Sequence, residues 1–131
     1  MANFTDEKVK AVWQNAKTID NYDASKYRQD VCGAWMALDS YGKESSLGWE
    51  VDHALPVAKG GTDHTDNLRA MNWKNNRSKA DDFPSYKTAV TSDGEKNVDS
   101  EKELTVNDAT LKRLKELYPN NQYLKNVTVK S

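Results

Sequence analysis

The chain has 131 residues, 37% hydrophobic and 30% charged, a size and composition that suit one domain with a modest core, residues 1–131, and leave little room for two. A mean hydropathy of −0.93 with no long apolar run excludes a transmembrane helix, and one cysteine with two histidines excludes an internal disulfide and a zinc cage of Cys and His. The net charge of −1 argues, taken alone, against a nucleic-acid partner, which calls for excess Lys and Arg.

From the start of the chain, Asp6, Glu7, Lys8 and Lys10 interrupt every apolar stretch, so no signal peptide is read there and a cytoplasmic location is expected. Thr5 ahead of Asp6 and Glu7 predicts a helix N-terminus, with Val9, Val12, Trp13 and Ala16 recurring on one face. Residues 20–28 read as a polar loop. Residues 31–38 are apolar enough for a buried strand or a short helix, and periodicity does not decide between them. After a loop at 42–48, Trp49, Val51, His53 and Leu55 alternate with Glu50, Asp52 and Ala54 as in a strand that Pro56 limits. Lys59-Gly60-Gly61 supplies a turn, residues 68–71 a second short strand, and Asn72 the cap of a helix over 73–80 that ends before Pro84. Ser92-Asp93-Gly94-Glu95 predicts a hairpin turn between 86–91 and 96–106, the second arm too charged for burial. Asn107 caps a last helix with Leu111, Leu114 and Leu117 inward, stopped by Pro119. The tail beyond is expected to fray.

Charge is unevenly spread along these elements. Residues 1–52 hold six basic and nine acidic side chains, 53–79 five and two, and 80–131 eight and nine. The middle segment is the one place where an anionic partner is electrostatically welcome.

That segment also holds the informative residues: Trp49-Glu50-Val51-Asp52-His53-Ala54-Leu55-Pro56, then Gly60-Gly61, then Asp66-Asn67-Leu68, then Asn75-Asn76-Arg77-Ser78-Lys79. In this order they resemble the HNH endonucleases, whose active site is a ββα-metal (His-Me) finger, over about residues 48–82. The resemblance implies an α+β fold with that finger as its core, flanked by an N-terminal helix and a C-terminal hairpin plus helix. It implies Asp52 as the first metal ligand, His53 as general base, Asn67 as the residue that orients the histidine, and Asn76 as the last ligand, a position often histidine in the family. Many relatives carry cysteine pairs for a structural zinc; the matching positions here are Asn72 and Asn75, so that zinc is expected to be absent.

Residue chemistry agrees with those roles. Hydrolysing a phosphodiester needs an activated water, neutralised phosphoryl oxygens and a stabilised leaving alkoxide. Imidazole, with an unperturbed pKa of about 6.5, is the natural base near neutral pH. Asp52 and Asn76 offer oxygen, which favours Mg²⁺ or Mn²⁺, with Zn²⁺ and Ni²⁺ as alternatives. Adjacent residues point to opposite faces of an ideal strand, so Asp52 and His53 can share a site only where the strand ends or bulges. Lys79 lies three residues beyond Asn76, on its helix face, which makes it the leading phosphate contact, followed by Arg77, Lys74 and Arg69. Glu50 shares a strand face with Asp52 and either orients Arg28 or Arg69 toward the phosphate or makes a surface salt bridge. His64 reads as a solvated loop residue and Cys32 as packing. The expected partner is DNA, with no membrane; the runner-up is a catalytically silent HNH-like module that binds nucleic acid or protein.

Overall fold

A computed structural model describes residues 4–129. Thr5 begins helix α1 (Asp6–Gln14) by accepting the Lys8 amide on its hydroxyl at 3.1 Å, the cap expected of threonine there. The face carrying Val9, Val12 and Trp13 is buried. Arg28, 7% exposed, covers the far end of this helix, donating to the carbonyls of Trp13, Gln14 and Ala16 at 3.0–3.2 Å. Carbonyls of the last helical turn and just beyond it lack i+4 amide partners, and the guanidinium adds to the amide bond that Trp13 accepts from Ala16 at 2.9 Å.

The ambiguous stretch 31–38 resolves as a turn followed by a three-residue strand, with no α-helix. Strand β1 (Tyr27–Gln29) pairs antiparallel with β2 (Trp35–Ala37), followed by one 3₁₀ turn. Asp30 sits at the junction, 2% exposed. Its Oδ1 accepts the amides of Cys32 and Ala34, both at 2.9 Å, and its Oδ2 accepts the Asn72 amide at 2.9 Å and Asn75 Nδ2 at 3.1 Å. Burial pushes this carboxyl upward in pKa while the four donors oppose it, and the side chain ties the N-terminal hairpin to the centre of the molecule. Burial, reinforced by Asp30, also pushes the Cys32 thiol up to about 12, which leaves it inert packing near neutral pH.

Strand β3 (Trp49–His53) pairs antiparallel with β4 (Leu68–Asn72), in a register that sets Asp52 opposite Arg69 and His53 opposite Leu68. Helix α2 (Trp73–Lys79) follows directly, its first turn capped by Asn72 Oδ1 accepting the Lys74 amide at 3.0 Å. The C-terminal part is a hairpin in two steps. Strand β5 (Ser85–Lys87) pairs with β8 (Glu103–Thr105), and β6 (Val90–Asp93) with β7 (Lys96–Asp99). Helix α3 (Asp108–Leu117) is capped by Asn107 as expected, buries Leu111 and Leu114, and is followed by a short helix α4 (Gln122–Lys125).

That last helix corrects the expectation of a frayed tail. Leu124 is 2% exposed and packs with Ala54, Leu55 and Leu114, and Asn121 Nδ2 donates to the Lys59 carbonyl at 2.7 Å. The tail therefore braces the loop that follows β3. A second cluster of Val12, Trp13, Met36, Trp49 and Val51 lies between α1 and the β3–β4 pair, and a third gathers Met71, Tyr86, Val106 and Leu111. The architecture is mixed α+β, with four helices and four two-stranded antiparallel sheets among the described residues. No helix among them is long and apolar enough to cross a membrane.

Candidate functional site

Strand β3 ends at His53, so the alternation of faces stops where the site needs it to stop. Asp52, His53 and Asn76 line one cleft of about 230 Å³, together with Pro56, Val57, Ala80 and Asp81. Ala80 ends α2 at φ 47° and ψ −128°, a left-handed conformation that strains any residue with a Cβ.

The loop from β3 to β4 is closed by Asn67, fully buried. Its Oδ1 accepts the Leu55 amide at 2.7 Å and its Nδ2 donates to the carbonyls of Leu55 and Thr62, both at 3.0 Å. Gly61 is required in the same turn, because a Cβ there would stand 1.7 Å from the Leu55 carbonyl oxygen and 2.8 Å from Asn67 Nδ2. This corrects the expected role of Asn67. Its amide is spent on loop backbone, as short polar side chains near turns tend to be, and makes no contact with the imidazole.

The partner of His53 is a residue that sequence reasoning did not single out. Asp63 Oδ1 lies 2.8 Å from His53 Nε2, with the histidine side chain 15% exposed and the carboxylate 61% exposed. The ring leans on Phe4 at a centroid distance of 5.9 Å.

Asp52 is 3% exposed and held by two cations. Arg69 Nε donates to its Oδ2 at 2.8 Å, the cross-strand geometry that the register dictates. Lys79 Nζ lies 3.4 Å from its Oδ1 and donates to the His53 carbonyl at 3.1 Å. Two phosphate contacts expected from the sequence are thereby corrected. Lys79 is fully buried; the helix face it shares with Asn76 turns inward, and only Asn76, at the edge of that face, meets the cleft. Burial lowers the Lys79 pKa below the ordinary lysine value against the opposing pull of Asp52. Arg69 is committed to Asp52, sits 5.4 Å above the Tyr86 ring, and has one buried Nη2 with no hydrogen-bond partner among the described residues.

Of the two roles expected of Glu50, the salt bridge is the one that forms, with Glu50 itself buried. It reaches neither Arg28 nor Arg69; Oε1 accepts Asn76 Nδ2 at 3.1 Å and Oε2 lies 3.5 Å from Arg77 Nη2. A carboxylate only accepts, so it fixes the amide nitrogen of Asn76 toward itself. Asn76 Oδ1 is left with no hydrogen bond among the described residues. Arg77 additionally pairs with Glu44 at 2.6 Å and stacks 4.8 Å over Trp73, while Lys74 is exposed and makes no ion pair among the described residues. His64 accepts the Asp66 amide on Nδ1 at 3.1 Å and is exposed.

Among the described residues no group of three or more His, Cys, Asp and Glu side chains is placed to hold a metal ion. The cleft offers a smaller donor set. An ionised carboxylate has about four lone-pair sites, and Arg69 and Lys79 engage two of those on Asp52; Asn76 Oδ1 is unengaged. Two hard oxygens with room for water fit an oxygen-preferring divalent cation such as Mg²⁺ or Mn²⁺, which keeps most of its water shell. Compared with protein-family models, curated proteins and solved structures, the chain matches none.

Proposed function

We propose that the chain is a metal-dependent endonuclease of the HNH type that hydrolyses DNA phosphodiester bonds, with residues 48–82 as its ββα-metal finger. One observation carries this reading: the end of β3 and helix α2 bring Asp52, His53 and Asn76 to one cleft, an imidazole beside two oxygen donors, in the order that the HNH resemblance implies. His53 takes the proton of a water that attacks phosphorus. Asp52 and Asn76 hold Mg²⁺ or Mn²⁺, which when bound neutralises charge on the phosphoryl oxygens and the leaving alkoxide. Arg69 and Lys79 hold the Asp52 carboxylate in place. Lys74 and Arg77, exposed on α2, meet the DNA backbone, where cations position without reading sequence.

The test is incubation with supercoiled plasmid and Mg²⁺, Mn²⁺, Zn²⁺, Ni²⁺ or chelator. Nicked and then linear product in Mg²⁺ or Mn²⁺, and none in chelator, is expected; intact plasmid under every condition would overturn the reading.

The two kinds of lysine on α2 separate in a second measurement. Lys74→Ala combined with Arg77→Ala is expected to weaken DNA binding and reduce its salt slope by about two. Lys79→Ala is expected to leave that slope unchanged and to lower stability by about 3–5 kcal/mol, since it strips a partner from a buried carboxylate. A drop in slope for Lys79→Ala without loss of stability would contradict its placement in the core.

A further inference from the structure

We propose that Asp63 is a positioning residue for the reaction: by accepting a hydrogen bond from His53 Nε2 it holds the imidazole in the tautomer whose basic nitrogen is Nδ1. The role in catalysis rests on the endonuclease reading. The contact rests on geometry alone.

A neutral imidazole carries one N–H and one lone pair, and a carboxylate accepts hydrogen bonds but has none to give. With Asp63 Oδ1 at 2.8 Å from Nε2, the proton belongs on Nε2. Nδ1 has no hydrogen-bond partner among the described residues, so its lone pair is the one left for a proton. In this step an O–H bond of water breaks and an N–H bond forms at Nδ1, while the water oxygen bonds to phosphorus as the P–O bond to the leaving alkoxide breaks. The alkoxide oxygen keeps the electron pair and takes a proton from solvent. The imidazolium that results carries two N–H groups, and the Asp63 carboxylate stabilises the charge it gains.

Asp63 lies on an exposed loop, yet the residue immediately before it, Thr62, is held at its amide, its hydroxyl and its carbonyl. The Thr62 amide donates to the Tyr118 hydroxyl at 3.0 Å, the Thr62 hydroxyl lies 2.6 Å from the same oxygen, and the Thr62 carbonyl accepts Asn67 Nδ2 at 3.0 Å. Two residues thus hold Thr62, the neighbour of Asp63: Asn67, in the 3₁₀ turn just before β4, and Tyr118, just after α3. This gives Asn67 a route to the histidine through the backbone of the loop, and gives the C-terminal helices a part in the site beyond packing.

The test combines a spectroscopic reading with kinetics on the full chain. Histidine labelled with ¹⁵N is read by two-bond ¹H–¹⁵N correlation at pH 8, with His64→Gln used to assign the two rings. His53 is expected in the Nε2–H form. Asp63→Ala, which removes an exposed side chain, is expected to shift those signals toward the average of both tautomers and to lower kcat about ten- to hundredfold with KM unchanged, the scale seen when a partner that orients a functional histidine is lost. Asp63→Glu should recover part of the rate, and Tyr118→Phe should move both readouts in the same direction by less. An Nδ1–H tautomer in the wild type, or Asp63→Ala with tautomer and kcat unchanged, would overturn the proposal. A wild type in the Nε2–H form that cuts no DNA with any metal overturns the endonuclease reading and the catalytic role together, while the contact itself stands.

Discussion

His53→Ala is expected to slow DNA cleavage by about 10²- to 10⁴-fold, the contribution typical of a positioned general base, with the fold, cation binding and DNA binding retained. The structural reason for that separation is local. The His53 ring bonds only to exposed Asp63 and rests on Phe4, so its loss leaves the core clusters and the Asp52 and Asn76 oxygens in place, and the stability change should stay within about 1 kcal/mol. Single-turnover cleavage, a thermal melt and Mn²⁺ calorimetry on the same preparation check the three parts. Wild-type cleavage in this variant would remove His53 from the chemistry.

The second large effect is on folding. Asp52→Ala is expected to cost about 3–5 kcal/mol, the range for breaking a buried ion pair from one side, because Arg69 and Lys79 both lose the carboxylate that balances them. For a domain whose total stability lies at about 5–15 kcal/mol that is about a fifth or more, and urea denaturation will read it directly. An Asp52→Ala protein within about 1 kcal/mol of wild type would mean that the two cations are not paired as described. The same cost makes Asp52→Ala a poor probe of metal binding. Asn76→Ala serves better, since that side chain is only half-buried and its one hydrogen bond is to Glu50; it is expected to weaken Mn²⁺ binding with the fold intact.

Local signals in the sequence were sufficient for most of the framework. Thr5, Asn72 and Asn107 each cap the helix they precede, because a short oxygen-bearing side chain bonds to an amide two or three residues on, an interaction that needs no tertiary context. The alternation over 49–53 marks a strand and that strand forms, but Trp49, Glu50, Val51 and Asp52 are all buried, so the polar face it predicts is turned inward. Direction relative to the rest of the molecule was not legible. The i, i+3 spacing correctly put Lys79 beside Asn76 but gave no sign that this face is the inner one, and a lysine is so seldom buried that the exposed reading was the natural one. Asn67 was recognisable as important, but its partners are backbone atoms of a loop whose path the sequence does not define. Asp63 meets His53 across ten residues of that loop, with no spacing rule to announce it. The short helix after Pro119 depends on Leu124 finding Ala54 and Leu55, a contact between distant parts of the chain.

The charge reading sharpens in the same way. Residues 53–79 hold five basic side chains, but Arg69 and Lys79 are consumed inside the molecule by Asp52, and Arg77 is shared between Glu44 and Glu50. On the proposed function, long-range attraction to DNA is expected to be weak, with binding resting on a cation in the cleft and a few contacts at short range.

The measurement that bears most directly on the proposed activity is the nicking of supercoiled plasmid by wild type and His53→Ala purified side by side, each with Mn²⁺ and with chelator. Nicked circles are expected from the wild type with Mn²⁺ alone. Equal nicking by the variant, or intact plasmid from a folded wild type that binds Mn²⁺, would contradict the assignment of this cleft to phosphodiester hydrolysis and leave a silent binding module in its place.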